Sequence, residues 1–311
     1  MNRRTFLAVA ASASAAAAPV DPKGKPLPVC AFSKHFQWTT VPEAAKMCAE
    51  IGYDGVDLTV RTGGHVLPER VADDLPKAVE AIRAAGLEAP MITAGIIDVD
   101  SPHAEAIIRT ATKLGIRNYR WGGFRYDTAK TITQQIAEFR AKSAALAELN
   151  KQYGACAMYH THSGVGQFGA SFWDIWMVLR DLDNQAVGVN LDIGHATVEG
   201  GLGGWINSTR LVLPMTRGIA LKDFRWEKNA KGVWGVHWCA FGQGMVNFKQ
   251  FAGMVKSAGF RGPLQLHMEY DELGGADSGR TTMTISRDEF MRLMKRDMAA
   301  CRELLKGTGL A

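Results

Sequence analysis

The feature that most limits what this chain can become is a repeated alternation. From Val29 to the C-terminal region, β-like runs alternate with amphipathic helical patterns, and no linker or shift in composition interrupts them. Strands are predicted at 29–33, 55–60, 88–94, 116–121, 155–161, 187–192, 218–222 and 264–269. Helical spacing of Ala, Glu, Lys and Leu falls near 42–51, 68–85, 103–114, 130–152, 172–183, 203–213, 246–258 and 287–306. Glycines at Ile51-Gly52, Ala85-Gly86, Leu114-Gly115 and Ala258-Gly259 stand where a helix hands over to the next strand. Eight such alternations predict one α/β domain, a single (β/α)8 TIM barrel over residues 29–311. A doubly wound open sheet is the alternative, but the Gly-rich dinucleotide turn expected after its first strand is missing.

Strand parity then says which side chains enter the barrel, because successive residues face opposite sides. In the sixth strand Val187, Val189 and Leu191 share the face that suits packing on helices, and Asn190 and Asp192 share the other. The eighth sends Gln265, His267 and Glu269 inward. The fifth places Met158, His160 and His162 on one parity, the second Asp57 and Thr59, the fourth Asn118 and Arg120, and the seventh Gly218, Ala220 and Lys222. Polar groups therefore converge at the C-terminal ends of the strands, the face on which barrels of this kind build active sites. His160, Asp192 and Glu269 are metal ligands in type, and three protein ligands leave positions open for substrate oxygens. Each residue also has a plain role, for an inward Asp at a strand end can simply cap the next helix.

Four motifs carry a family resemblance: Leu191-Asp192-Ile193-Gly194-His195, Leu221-Lys222-Asp223-Phe224, Phe241-Gly242-Gln243-Gly244-Met245-Val246-Asn247-Phe248 and Leu266-His267-Met268-Glu269-Tyr270. In this order they resemble the sugar phosphate isomerase/epimerase family of xylose-isomerase-like TIM barrels. The resemblance implies one divalent metal held by a Glu on strand five, an Asp on strand six, a His on strand seven and a Glu on strand eight. Asp192 and Glu269 match that pattern, and His195 matches a residue that contacts substrate. Two positions depart from it. Strand five carries Tyr159-His160-Thr161-His162, which looks more like the inosose-dehydratase branch, and the strand-seven position is Ala220, which cannot bind a metal.

The expected ion is therefore one divalent metal (Mn, Co, Zn or Mg) on His160, Asp192 and Glu269, completed by His162 or water, or else a vestigial site. Glu269, Lys222 and His162 are the candidate acid/base groups. Lys222 has an equal claim as a counter-ion to Asp192 or Glu269, and Arg120 either holds substrate oxygens or neutralises Asp57. Trp226 and Trp238, in an aromatic loop after strand seven, offer flat faces for a sugar; His195, Arg120 and Asp57 complete the expected substrate contacts. Residues 271–287, rich in Gly, Asp and Thr, read as a lid. The chemistry expected is isomerisation or epimerisation of a small carbohydrate through an enediolate-type intermediate. The alternatives are elimination of water or another leaving group from a keto-sugar or cyclitol, and a barrel that binds sugar without turnover.

Composition adds an address. A net charge of +5 over 311 residues is mild and demands neither nucleic acid nor an anionic membrane surface. Asn2-Arg3-Arg4-Thr5-Phe6-Leu7 followed by an Ala/Ser run resembles a twin-arginine export signal over residues 1–18, with residues 19–28 as a linker. Its apolar run is too short and Ala-rich for a stable membrane span. A periplasmic address argues for an unphosphorylated substrate. The five cysteines, with no CxxC spacing, indicate neither a zinc cluster nor a disulfide framework.

Overall fold

The computed structural model describes residues 26–310. The expected export segment and the first part of the linker lie outside these residues. In chain order the strands are β1 (Val29–Phe32), β2 (Gly55–Val60), β3 (Glu88–Ala94), β4 (Asn118–Trp121), β5 (Cys156–His160), β6 (Val187–Asp192) and β7 (Thr216–Leu221). A two-stranded insertion follows, β8 (Asp223–Lys228) and β9 (Trp234–Cys239), and then β10 (Leu264–Leu266). Strands β1 to β7 and β10 close into a parallel barrel, with β10 between β7 and β1. The expected (β/α)8 barrel is what the chain forms.

The helices pack outside the barrel: α1 (Val41–Ile51), α2 (Val71–Ala84), α3 (Ala104–Lys113), α4 (Ile132–Tyr153), α5 (Phe172–Leu179), α6 (Ile193–Gly200), α7 (Gly204–Val212), α8 (Phe248–Ser257) and α9 (Arg287–Thr308). Their ends follow local chemistry. Thr131 and Gln134 form a reciprocal capping box on α4, and Gly52 closes α1 at φ 98°, a left-handed conformation that a side chain would strain. Among the described residues no helix is long and apolar enough to cross a membrane, and all five cysteines are free.

The barrel wall follows the predicted parity. Val187, Val189 and Leu191 are fully buried against the helical layer. Inside, Met91, Cys156 and Met158 form their own small apolar cluster. Gly218 keeps the interior open, since a Cβ there would lie 2.9 Å from Asn190 Oδ1 and 3.1 Å from Met158 Sδ.

Three local features differ from the sequence reading. The last strand ends at Leu266 because Met268 N–H donates to the His35 ring (3.2 Å) rather than to a neighbouring strand. The aromatic loop after β7 is the β8–β9 hairpin, pinned by Asp223, whose carboxylate accepts N–H bonds from Phe224, Gly244 and Val246. The expected lid is anchored: Leu273 and Ala276 are fully buried, and the Ala276 carbonyl bonds the His35 ring at 3.1 Å.

Candidate active site

Asp192 ends β6, and α6 begins one residue later, so its two oxygens face different tasks. Oδ1 accepts the His195 backbone N–H at 3.1 Å and caps α6, a contribution of about 1 kcal/mol. Oδ2 is buried with no hydrogen-bond partner. Around it stand His267 Nδ1 at 3.8 Å and the Nε2 atoms of His160 and His195, each at 3.9 Å. The capping role and a ligand role are thus compatible, one oxygen to each. Burial pushes the Asp192 carboxyl up to about 6, against the pull of Lys222.

His160, Asp192 and His267 each present a ligand atom within 4.8 Å of the others, and all three are buried. Two imidazoles and a carboxylate suit zinc and its first-row neighbours better than magnesium. Burial holds both imidazoles well below the usual histidine range, so they are neutral at pH 7 with lone pairs to donate. Metal bonds of about 2.0–2.2 Å call for ligand atoms roughly 3–3.5 Å apart, so an ion would draw the two imidazoles inward from their 3.8 and 3.9 Å distances to Asp192 Oδ2. An ion here would satisfy Asp192 Oδ2, and His267 also carries a buried ring nitrogen, Nε2, without a partner. Outside this set Asn190 lies 3.3 Å from His160 Nδ1 and bonds Gln265 at 2.7 Å, which orients the His160 ring. The residues fit a divalent metal.

Glu269, expected as the third ligand, is engaged differently. Its carboxylate bonds Lys34 and lies 2.5 Å from Lys222 Nζ. Burial alone would raise its pKa, but Lys222 and Lys34 overcome this and hold it well below the ordinary carboxylate range. The imidazole missing at buried Ala220 arrives instead from the neighbouring strand's exit, as His267. Inward parity pointed to His267, although the sequence reading did not place it among the ligands.

Lys222 is the hub of the mouth. Besides Glu269 it lies 3.0 Å from His195 Nε2 and 3.9 Å from the centre of the Trp238 ring. His195 Nδ1 in turn meets the Ser163 hydroxyl at 2.7 Å, so a continuous polar path runs from Ser163 to Glu269. Gly194 allows this approach, since a Cβ on it would lie 2.8 Å from the Lys222 carbonyl oxygen. Gly194→Ala is expected to push α6 off β7, lowering Tm by several degrees and weakening binding of any ligand that uses both His195 and Lys222; thermal denaturation and titration calorimetry check it.

His162 accepts from Arg120 at 3.2 Å, and its ring meets His160 edge-on at 4.7 Å. Burial, then Arg120, lower its pKa to about 3, which leaves it neutral. Asp57 is fully buried, and both its oxygens accept the Thr93 hydroxyl at 2.9 Å; it makes no ion pair with Arg120. Trp238 stands against His195, with ring centres 4.8 Å apart, whereas Trp226 is 41% exposed on the hairpin and touches Phe224. The structure thus gathers His160, His162, Asp192, His195, Lys222, Trp238, Arg120 and Glu269, and leaves Trp226 outside. It adds Lys34, Arg61, Ser163 and Phe32. Phe32 ends β1, while Lys34, Arg61 and Ser163 lie beyond the ends of β1, β2 and β5, where period-2 parity no longer applies.

Burial raises Asp57 to about 7, with Arg120 and Thr93 opposing. A raised carboxylate favours folding in its protonated form, so its penalty is greatest above pH 7. The penalty fades as pH falls from the folded value toward the ordinary one near 4. Asp57→Asn is expected to stabilise the protein by a few kcal/mol at pH 8 and by almost nothing at pH 4, as urea titrations at the two pH values would show.

The model of the xylose isomerase-like TIM barrel family matches residues 45–296. No curated protein matches the sequence significantly. Among solved structures, a xylose isomerase-like TIM barrel protein from Mycobacterium smegmatis in complex with magnesium is 15% identical, with 88% of this chain and 98% of that one covered and a TM-score of 0.63. D-psicose 3-epimerase with D-tagatose from Clostridium cellulolyticum H10 is 12% identical over 90% and 99% of the two chains, TM-score 0.67. The probable 3-DHS dehydratase AsbF from Bacillus anthracis is 15% identical over 89% and 98%, TM-score 0.62. At these identities the structural likeness speaks for the fold. The family match spans most of the sequence, and the chain belongs to the xylose isomerase-like TIM barrel family.

Proposed function

We propose that the protein is a divalent-metal-dependent isomerase or epimerase of a small unphosphorylated carbohydrate, exported to the periplasm by its twin-arginine-like N-terminus. The observation that carries this reading is the buried His160–Asp192–His267 set beside the Lys222–Glu269 pair. An ion on those ligands would supply Lewis acidity toward the sugar's carbonyl and hydroxyl oxygens. The chain's own groups then handle the proton. Glu269 is ionised at neutral pH and sits at the mouth, 24% exposed at its side chain, where it can accept a proton from the carbon next to a carbonyl. Two lysines weaken it as a base. A substrate oxygen that draws Lys222 away restores its basicity at the moment of use. Lys222 and His195 are placed to move a proton at the sugar oxygens, and Trp238 offers a flat apolar face beside them. Family neighbours described as epimerases and as a dehydratase support sugar chemistry of this general kind.

A second reading, elimination from a keto-sugar or cyclitol, is favoured by one observation. Among the described residues, Asp192 caps a helix, Asp57 is held on Thr93 and Asp223 is tied to hairpin amides, which leaves Glu269 as the carboxylate at this mouth open to substrate. Epimerisation needs proton donors and acceptors on both faces of a carbon, whereas elimination can use one base and one acid. Metal analysis of protein purified without chelator, followed by mass spectrometry of products from keto-sugars, separates the readings. Unchanged mass supports isomerisation, and loss of water supports elimination. Absence of both metal and turnover would leave a sugar-binding barrel and overturn the proposal.

A further inference from the structure

Three cationic side chains converge on the ring of Phe32 at the barrel mouth. Lys34 Nζ lies 5.4 Å from the ring centre, the Arg120 guanidinium carbon 5.5 Å and that of Arg61 5.9 Å. Lys222 reaches the same space through Glu269. The carboxylates nearby act on the two arginines only from a distance and pair with neither. Glu269 is shared by Lys34 and Lys222. Asp57 gives both oxygens to Thr93, and Asp192 turns one oxygen to a helix end and the other to imidazoles. Among the described residues neither Arg61 nor Arg120 forms an ion pair; Arg120 donates only to His162. The two guanidinium groups lie close enough for repulsion to show: after burial, Arg61 is the chief cause that lowers Arg120 to about 10. Clustered, half-buried cations without an anion are costly, and a divalent metal on the neighbouring ligands would deepen the surplus.

We propose that the substrate is an acidic sugar, whose carboxylate seats between Arg61 and Arg120 at the edge of Phe32 while its carbon skeleton extends toward His160, Asp192 and His267. This rests on the reading above that the substrate is a small carbohydrate. Guanidinium forks grip carboxylates through paired N–H bonds, which accounts for arginine at both positions.

The test is titration calorimetry of the purified protein at pH 7 with paired probes. D-Glucuronate is set against D-glucose, D-galacturonate against D-galactose and D-fructuronate against D-fructose, with D-glucose 6-phosphate alongside. At least one acid should bind tenfold or more tightly than its neutral twin. Arg61→Gln should reduce that preference to threefold or less, with Arg61→Lys in between. Should Arg61→Gln not fold, Arg120→Gln serves the same purpose. The proposal is overturned if no acid outbinds its twin, including the case where none binds, if the preference survives Arg61→Gln, or if the phosphate binds more tightly than every carboxylate. NMR of the same mixtures keeps the two proposals apart. An acid bound but unchanged counts against the isomerase reading alone; a neutral ketose converted while acids bind no better counts against this inference alone.

Discussion

Asp192→Ala should leave the barrel folded and strip it of metal. The substitution removes a helix cap, about 1 kcal/mol, but also a buried oxygen that has no partner, so the two effects on stability oppose each other and Tm should move by only a few degrees. Its effect on chemistry is far larger. Loss of the central ligand removes several kcal/mol of charge stabilisation at the reacting oxygens, so turnover should fall on the order of 10³-fold. His267→Ala should behave alike, because it contributes the imidazole that β7 lacks. Asp192→Asn is the informative companion, since it can keep the cap through its amide oxygen yet loses the charge. Plasma mass spectrometry for bound metal, beside thermal melts, tests this directly. Stoichiometric metal retained in Asp192→Ala would place the ion elsewhere and remove the basis for the proposed chemistry.

Lys222→Met should be the most damaging change at the mouth that touches no proposed ligand. It breaks a nearly buried ion pair, the contact with His195 and the charge over Trp238 together. Breaking a buried pair usually costs about 3–5 kcal/mol; Lys34 remains beside Glu269, so about 2–3 is expected here. The change also has a signature in pH. Glu269 is held low by two ammonium groups, and removal of one raises its pKa. A carboxylate base works only when ionised, so the acid limb of kcat/KM should move to higher pH in Lys222→Met. Turnover across the pH range, with urea melts for stability, measures both. An acid limb that stays in place would show that Glu269 is not the base.

The barrel and half of its mouth were readable before any coordinates. Parity along β6 placed Val187, Val189 and Leu191 outward and Asp192 inward because the strand keeps its alternation from Val187 to Asp192, even though its pairing with β7 shifts register between Val189 and Asn190. The same logic reached His160 on β5 and pointed to His267. It failed at Glu269, three residues beyond the end of β10. Glu269 was read as a strand residue, but β10 stops at Leu266 once the His35 ring takes the Met268 N–H, and the Glu269 carboxylate swings to Lys34. Trp226 and Trp238 looked equivalent in a loop of aromatics. The register of the hairpin, with Phe224 opposite Trp238 and Trp226 opposite Val236, decided which of them meets His195.

The sequence alone determined what depends on local periodicity: eight strand–helix alternations, the inward faces of regular strands, and a carboxylate at the exit of β6. Only the tertiary structure decided what depends on distance between segments far apart in the chain. It joined His160, Asp192 and His267 into one buried set, bound Glu269 to Lys34 across the closure between the first and last barrel strands, and brought Arg61 and Arg120 together at the Phe32 ring without an ion-pair partner among the described residues. The physical reason is that ligand geometry and charge balance are sums over neighbours in space, and barrel closure chooses those neighbours only once all eight strands are in place.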